Sequence, residues 1–226
     1  MFHFSRFMKT NILILCPIAV LLHAGTTEAA TGMARLGAAE SAARCGGQDF
    51  DIAITECTVL IQSGQEPAAL AAIYQHRGVA YYNKGLADQA IADETMVIAL
   101  RPDFAPAYYV RGEAYLNTGR ADPTIADYTR AIALNPRYAE AYSDRGVAYG
   151  KMDLSDQAIA DETQAIAFQP GFAEAYSERG ILYKNKGLND QAIADFTNAI
   201  TSEPDYARPY YERGLAKQAK GDVAGG

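Results

Sequence analysis

Five arginines, Arg77, Arg111, Arg145, Arg179 and Arg213, recur at 34-residue intervals, each immediately before a glycine. Asp93, Asp127, Asp161 and Asp195 repeat with the same period. Guanidinium and carboxylate groups in matched registers allow either an anion-binding ladder or a structural ladder of ion pairs. The structural ladder is expected, because each arginine has an acid within its own hairpin. Read as surface pairs, they would individually stabilise little. The histidines are His3, His23 and His76. The first two fall in a segment expected to be removed, which leaves His76 without a cysteine or second histidine at ligand spacing. No phosphate-binding glycine loop is present, since the glycines are accounted for by helix ends and close packing. The residue types therefore point to no catalysis, no cofactor and no metal.

The register comes from a unit that runs four times from Ala71 to Tyr206, as residues 71–104, 105–138, 139–172 and 173–206. Tyrosine returns at Tyr74, Tyr108, Tyr142, Tyr176 and Tyr210, and again at Tyr81, Tyr115, Tyr149 and Tyr183. Pro102, Pro136, Pro170 and Pro204 close the units. Fixed-period repetition of this kind marks a stacked-repeat architecture. Within the first unit, Ile73, Tyr74, Gly78 and Tyr81 lie on one helical face. Gly85 stops that helix, and Asp88 is expected to cap a second one running to about Leu100. In the second unit Asp122 takes the capping place, with Pro123 at the first helical position. Gly78 and Ala90 are small where the two helices of the hairpin must approach. A lone hairpin cannot bury its apolar face, so stability requires stacked neighbours.

These positions resemble the tetratricopeptide repeat. The resemblance covers Ala71 to Tyr206, and residues 207–220 look like a further first helix acting as a polar cap, followed by a tail at 221–226. It implies an all-α fold, a right-handed α-solenoid of stacked helix-turn-helix repeats. The aromatic usual in the middle of the second helix is present as Tyr128 and Phe196, while Glu94 and Glu162 replace it in the first and third units. The alternation suggests duplication of a two-unit block. The two glutamates are expected to loosen the packing locally, their carboxylates reaching solvent. The alternative is a partly buried acid of raised pKa, hydrogen-bonded to a tyrosine such as Tyr108 or Tyr176.

In the resembling family the first helices line a groove that holds a peptide or partner segment. On this chain the positions are Gln75, Val79, Tyr82 and Asn83, then Tyr109, Glu113, Leu116 and Asn117. They continue as Ser143, Val147 and Lys151, then Ser177, Ile181, Lys184 and Asn185, with Tyr211 and Leu215 from the cap. Tyrosine, asparagine and small apolar side chains suit an extended peptide, with tyrosines as anchors. A carboxylate clamp of the kind some members use fits poorly, because Asp144, Glu178 and Glu212 stand near its path. The expected role is a non-catalytic adaptor or assembly factor that binds a protein or peptide. End-to-end self-association and envelope polysaccharide binding are the other readings.

The chain has 226 residues and a formal net charge of -7, with no basic run. That argues against nucleic acid, whose phosphates demand clustered Lys and Arg, and against adhesion to anionic lipid. Arg6 and Lys9 precede an apolar stretch from Asn11 to Leu22, the length of a signal-peptide core and too short for a comfortable membrane span. Residues 1–29 are expected to be an export signal cut after Ala29, with an uncleaved anchor as the alternative. A lipoprotein acylated at Cys16 is disfavoured by Leu15. The expected location is periplasmic or secreted, with no stable membrane insertion after cleavage. Residues 30–70 then form an N-terminal hairpin, a degenerate capping copy. In it Met33 to Arg44 and Asp49-capped residues to Ile61 are helical, and Gly46 and Gly47 break the chain between them. Removal of Cys16 leaves Cys45 and Cys57, an even pair that in an exported chain points to a disulfide. Two buried free thiols are the alternative.

Overall fold

The computed structural model describes residues 40–221, so the expected signal segment at 1–29 lies outside them. Among the described residues the regular structure is helical throughout: residues 40–45, then α1 (Phe50–Gln62), α2 (Pro67–Asn83), α3 (Ala87–Leu100), α4 (Ala105–Asn117), α5 (Ala121–Leu134), α6 (Ala139–Lys151), α7 (Ser155–Phe168), α8 (Ala173–Asn185), α9 (Asn189–Ser202) and α10 (Ala207–Lys220). They fall into two compact units, one up to Thr118 and one from Gly119.

In the first unit, Asp49 caps α1 through Oδ1, which accepts from the backbone N–H of Asp51 and of Ile52 at 3.1 Å each, as its sequence position predicts. Pro67 opens α2, where its missing N–H removes nothing. Gly85, at φ 73°, ends it. The second helix starts sooner than expected, because Leu86 donates back to Tyr81 and its own carbonyl accepts from Ala90. Asp88 therefore lies in the first turn of α3, and Asp122 lies in that of α5, where each carboxylate favours the helix dipole without capping. Gly78 marks the tightest approach: a Cβ there would stand 2.5 Å from Glu94 Oε1 and 3.3 Å from the Asp93 Cβ. At the N-terminal side Cys45 and Cys57 are joined as a disulfide, buried with Leu60 and Ile73. Reduction is expected to lower the stability of this edge by about 3 kcal/mol, the entropy of the short loop it closes. A thermal melt with and without reductant, repeated on Cys57→Ser, measures it; an unchanged midpoint would remove the disulfide from the account.

The second unit repeats the plan. A Cβ at Gly146 would meet Glu162 Oε1 at 3.0 Å, and one at Gly180 would meet the Phe196 ring at 2.7 Å. Phe196 packs with Ala192 and, from α10, Ala216. The turn between α6 and α7 departs from its counterparts. Gly85, Gly119 and Gly187 adopt positive φ where the third repeat has Asp153, at φ 59°. Asp153→Gly is therefore expected to stabilise the unit by about 1 kcal/mol, since the left-handed region penalises a Cβ. Chemical denaturation would show it as a higher midpoint at an unchanged slope.

Candidate functional site

The arginine ladder is structural and is buried more deeply than a surface ladder would be. Arg77 gives Nε and Nη2 to Asp93 at 2.8 Å each, Arg145 engages Asp161 at 2.8 and 2.9 Å, and Arg179 engages Asp195 at 2.8 Å each. The third nitrogen, Nη1, reaches the second helix of the preceding hairpin: Thr58 for Arg77, Thr129 for Arg145 and Thr163 for Arg179, at 2.9 to 3.0 Å. Each of these guanidiniums also stands within 6 Å of two ring centroids, Tyr74 and Tyr81 in the first repeat, Tyr142 and Tyr149 in the third, Tyr176 and Tyr183 in the fourth. The recurring tyrosines are thus the walls of an arginine slot. Burial pushes the Asp93 carboxyl up more than its Arg77 partner draws it down. Arg213 breaks the expectation that every arginine has an acid in its own hairpin, for no carboxylate among the described residues pairs with it.

The glutamates are corrected in two respects. Glu94 and Glu162 are wholly buried, not loosened toward solvent. Their neighbours are also not the expected tyrosines: Ser143 Oγ donates to Glu162 Oε2 at 2.7 Å, and the Tyr108 hydroxyl donates to the Pro102 carbonyl. Neither oxygen of Glu94 has a hydrogen-bond partner, and burial pushes its carboxyl well above the usual range, with Asp93 adding and Arg111 opposing. Gly78 and Gly146 let these acids occupy the space that Phe196 fills against Gly180.

In each unit the first helices lie side by side, α2 with α4 in one, and α6, α8 and α10 in the other. The expected lining divides by depth. Gln75, Tyr109, Ser143 and Ser177 are buried, as are Tyr82, Glu113 and Leu116. The Ser143–Glu162 bond shows that the row of Gln75, Ser143 and Ser177 faces the second helix of the hairpin, and this row is removed from the lining. Tyr82 is no exposed anchor, because its hydroxyl donates to Glu113 Oε2 at 2.7 Å and ties α2 to α4. What remains accessible in the first unit is Val79 and Asn83, half-buried, and Asn117, exposed. In the second it is Val147, Ile181, Lys184 and Leu215, half-buried, beside exposed Lys151 and Asn185. Tyr211 shares the phase of the buried row, yet is 68% exposed. Glu212 takes Lys184 and Glu178 takes Arg208, so two acids near the groove path are paired. Nothing in the spacing marks these pairs, whose partners sit about thirty residues apart on successive first helices.

His76 is half-buried, and the desolvation pushes its imidazole down; it lies near Gly46. No group of three or more potential metal ligands occurs among the described residues. No helix among them is long and apolar enough to cross a membrane.

The geometry defines a class: stacked helical hairpins locked by a periodic arginine slot, with open first-helix faces. Family models for the tetratricopeptide repeat match residues 105–138 and 173–206, and a further TPR model matches residues 124–153. The chain is a tetratricopeptide-repeat protein. It is similar to the crystal structure of MamA, at 29% identity over 81% of this chain and 99% of that one, with a TM-score of 0.64. TTC0263, a thermophilic TPR protein of Thermus thermophilus, matches at 24% identity over 81% and 96% of the two chains, with a TM-score of 0.60. The first TPR of Spaghetti (RPAP3), solved with the HSP90 peptide SRMEEVD, matches at 24% identity over 52% and 93%, with a TM-score of 0.51. The latter two carry the fold alone. No curated protein matches the chain. The fold is that of a protein–protein interaction scaffold, a kind of module that is in general non-catalytic.

Proposed function

We propose that the chain is an adaptor of the bacterial cell envelope, exported by its N-terminal segment, that holds an extended peptide or a segment of a partner protein on its first-helix faces. One observation carries this reading. In the second unit Val147, Ile181 and Leu215 form a half-buried apolar row along α6, α8 and α10, bordered by exposed Lys151 and Asn185. Shallow apolar sites bordered by amide and ammonium donors suit alternate side chains and backbone carbonyls of an extended segment. The Spaghetti structure, of the same fold, is bound to an HSP90 peptide, which supports a peptide as the class of ligand without naming one for this chain.

The test is a crosslinked pull-down from an envelope fraction with the wild-type chain beside Lys151→Glu/Asn185→Ala. Both positions are exposed, so the variant keeps the fold. A defined protein captured by the wild type and lost with the variant is the expected result. Capture of the same set by both would show that this face is not the site. Secretion of a tagged full chain with loss of residues 1–29 tests the export step; a tag retained in the cytoplasm would overturn it.

A further inference from the structure

We infer that α10 is a second docking surface, for an amphipathic helix of another protein that presents an aspartate to Arg213. Equivalent positions along the repeats differ at this end. In the first, third and fourth repeats the glycine after the arginine is buried, with Glu94, Glu162 or Phe196 within 3.0 Å of its Cβ position. Gly214 is exposed and nothing lies within 4 Å of the same point. Arg213 keeps half of the slot: Nη1 donates to Thr197 at 3.2 Å, and the guanidinium stands 5.8 Å from the Tyr210 ring. The carboxylate that takes Nε and Nη2 in Arg77, Arg145 and Arg179 has no counterpart among the described residues. Tyr211, whose row is otherwise covered, is 68% exposed, and Tyr210 is 45% exposed. Lys217 stands where the second tyrosine of the slot is expected, adding positive charge one turn from Arg213. The face is a preformed receptor for a helix, and its charge asks for an acidic one.

The chain itself shows what that helix looks like. On α9, Asp195 meets the arginine, Phe196 covers the glycine, and Ala192 and Ala199, three before and four after the aspartate, are wholly buried. The occupant therefore carries a small residue, then aspartate followed by a bulky residue, then a second small residue, on one face. A second copy does not supply it, because the aspartates of α3, α7 and α9 already engage the arginines of their own hairpins. Leu215, whose equivalent Ile181 packs against Phe196, borders both surfaces, so the two readings are told apart by their variants, Arg213→Glu here and Lys151→Glu/Asn185→Ala there.

The probe is a labelled peptide of residues 189–202, NDQAIADFTNAITS, added to the full chain and followed by anisotropy and by the Gly214 amide resonance. Binding is expected in the micromolar to millimolar range, since a free peptide of this length must also fold on binding. Arg213→Glu, or asparagine in place of aspartate in the peptide, is expected to weaken it at least about tenfold, the scale of a charge-assisted hydrogen-bond pair. Lys151→Glu/Asn185→Ala should leave it unchanged. No binding up to about 1 mM, or binding indifferent to Arg213→Glu, would overturn the inference. So would a sedimentation experiment showing a dimer that Gly214→Leu abolishes, because the face would then belong to a second copy.

Discussion

Gln75→Ser/Glu94→Phe should make the first repeat more stable by about 2 kcal/mol at neutral pH, the scale of relieving a buried carboxyl without partners. The substitution installs the pair that the fourth repeat carries at the same positions, Ser177 and Phe196. In the wild type both amide atoms of Gln75 and both oxygens of Glu94 are buried without hydrogen-bond partners. A carboxyl held there is tolerated protonated and resisted as an anion. Its folded pKa is raised above the ordinary 4.5, so the folded state binds more protons than the unfolded one. The stability tied to Glu94 is fully present below that ordinary value and is lost as pH rises through the folded pKa. Asp93 is shifted in the same direction. Thermal melts of both proteins at pH values near 4.5 and near 8 should therefore diverge, with the variant's advantage larger at the higher pH. An advantage that does not change with pH would mean that Glu94 is not held neutral.

Phe196→Ala should be the most damaging single truncation in the second unit, lowering its stability by about 3–5 kcal/mol. The ring is wholly buried, contacts the open side of Gly180, and packs with Ala192 and Ala216 from two helices. Ala192 and Ala216 have no side-chain length with which to fill the space, and Ile181, Tyr183 and Ile193, packed around the cluster, are held by their own helices, so the cavity persists. Urea denaturation should show a lower midpoint, and exchange of the α10 amides should quicken, because α10 loses the ring beneath it. A decrease under about 1 kcal/mol would mean that the helices or the neighbouring Ile181, Tyr183 and Ile193 close the gap and that the packing there is soft.

Much of this was legible from residues. Strict 34-residue phase foretold the run of paired helices across residues 71–206, and matched Arg and Asp registers foretold the ion pairs. Asp49 read correctly as a cap, and the pairing of Cys45 with Cys57 followed from their hairpin. What escaped depended on side-chain depth, which spacing alone does not report. Gln75, Ser143 and Ser177 are polar and periodic, as groove residues would be, yet their phase turns them toward the second helix. Glu94 and Glu162 looked like surface residues because a carboxylate is ordinarily expelled; the preceding glycine makes the room that keeps them inside. Asp153 in a left-handed turn is invisible where its equivalents are glycines, and the short ladder at Arg213 emerges only when each slot is compared with the next.

The slot has a mechanical corollary. One guanidinium clasps the aspartate of its own hairpin and the threonine of the hairpin before it, so loss of either neighbour loosens both. Within each unit, coupling of this kind turns a row of marginal hairpins into a nearest-neighbour chain, whose melting advances as a front from an end. Pulling on α10 should accordingly unzip the second unit hairpin by hairpin, with a force step at each arginine.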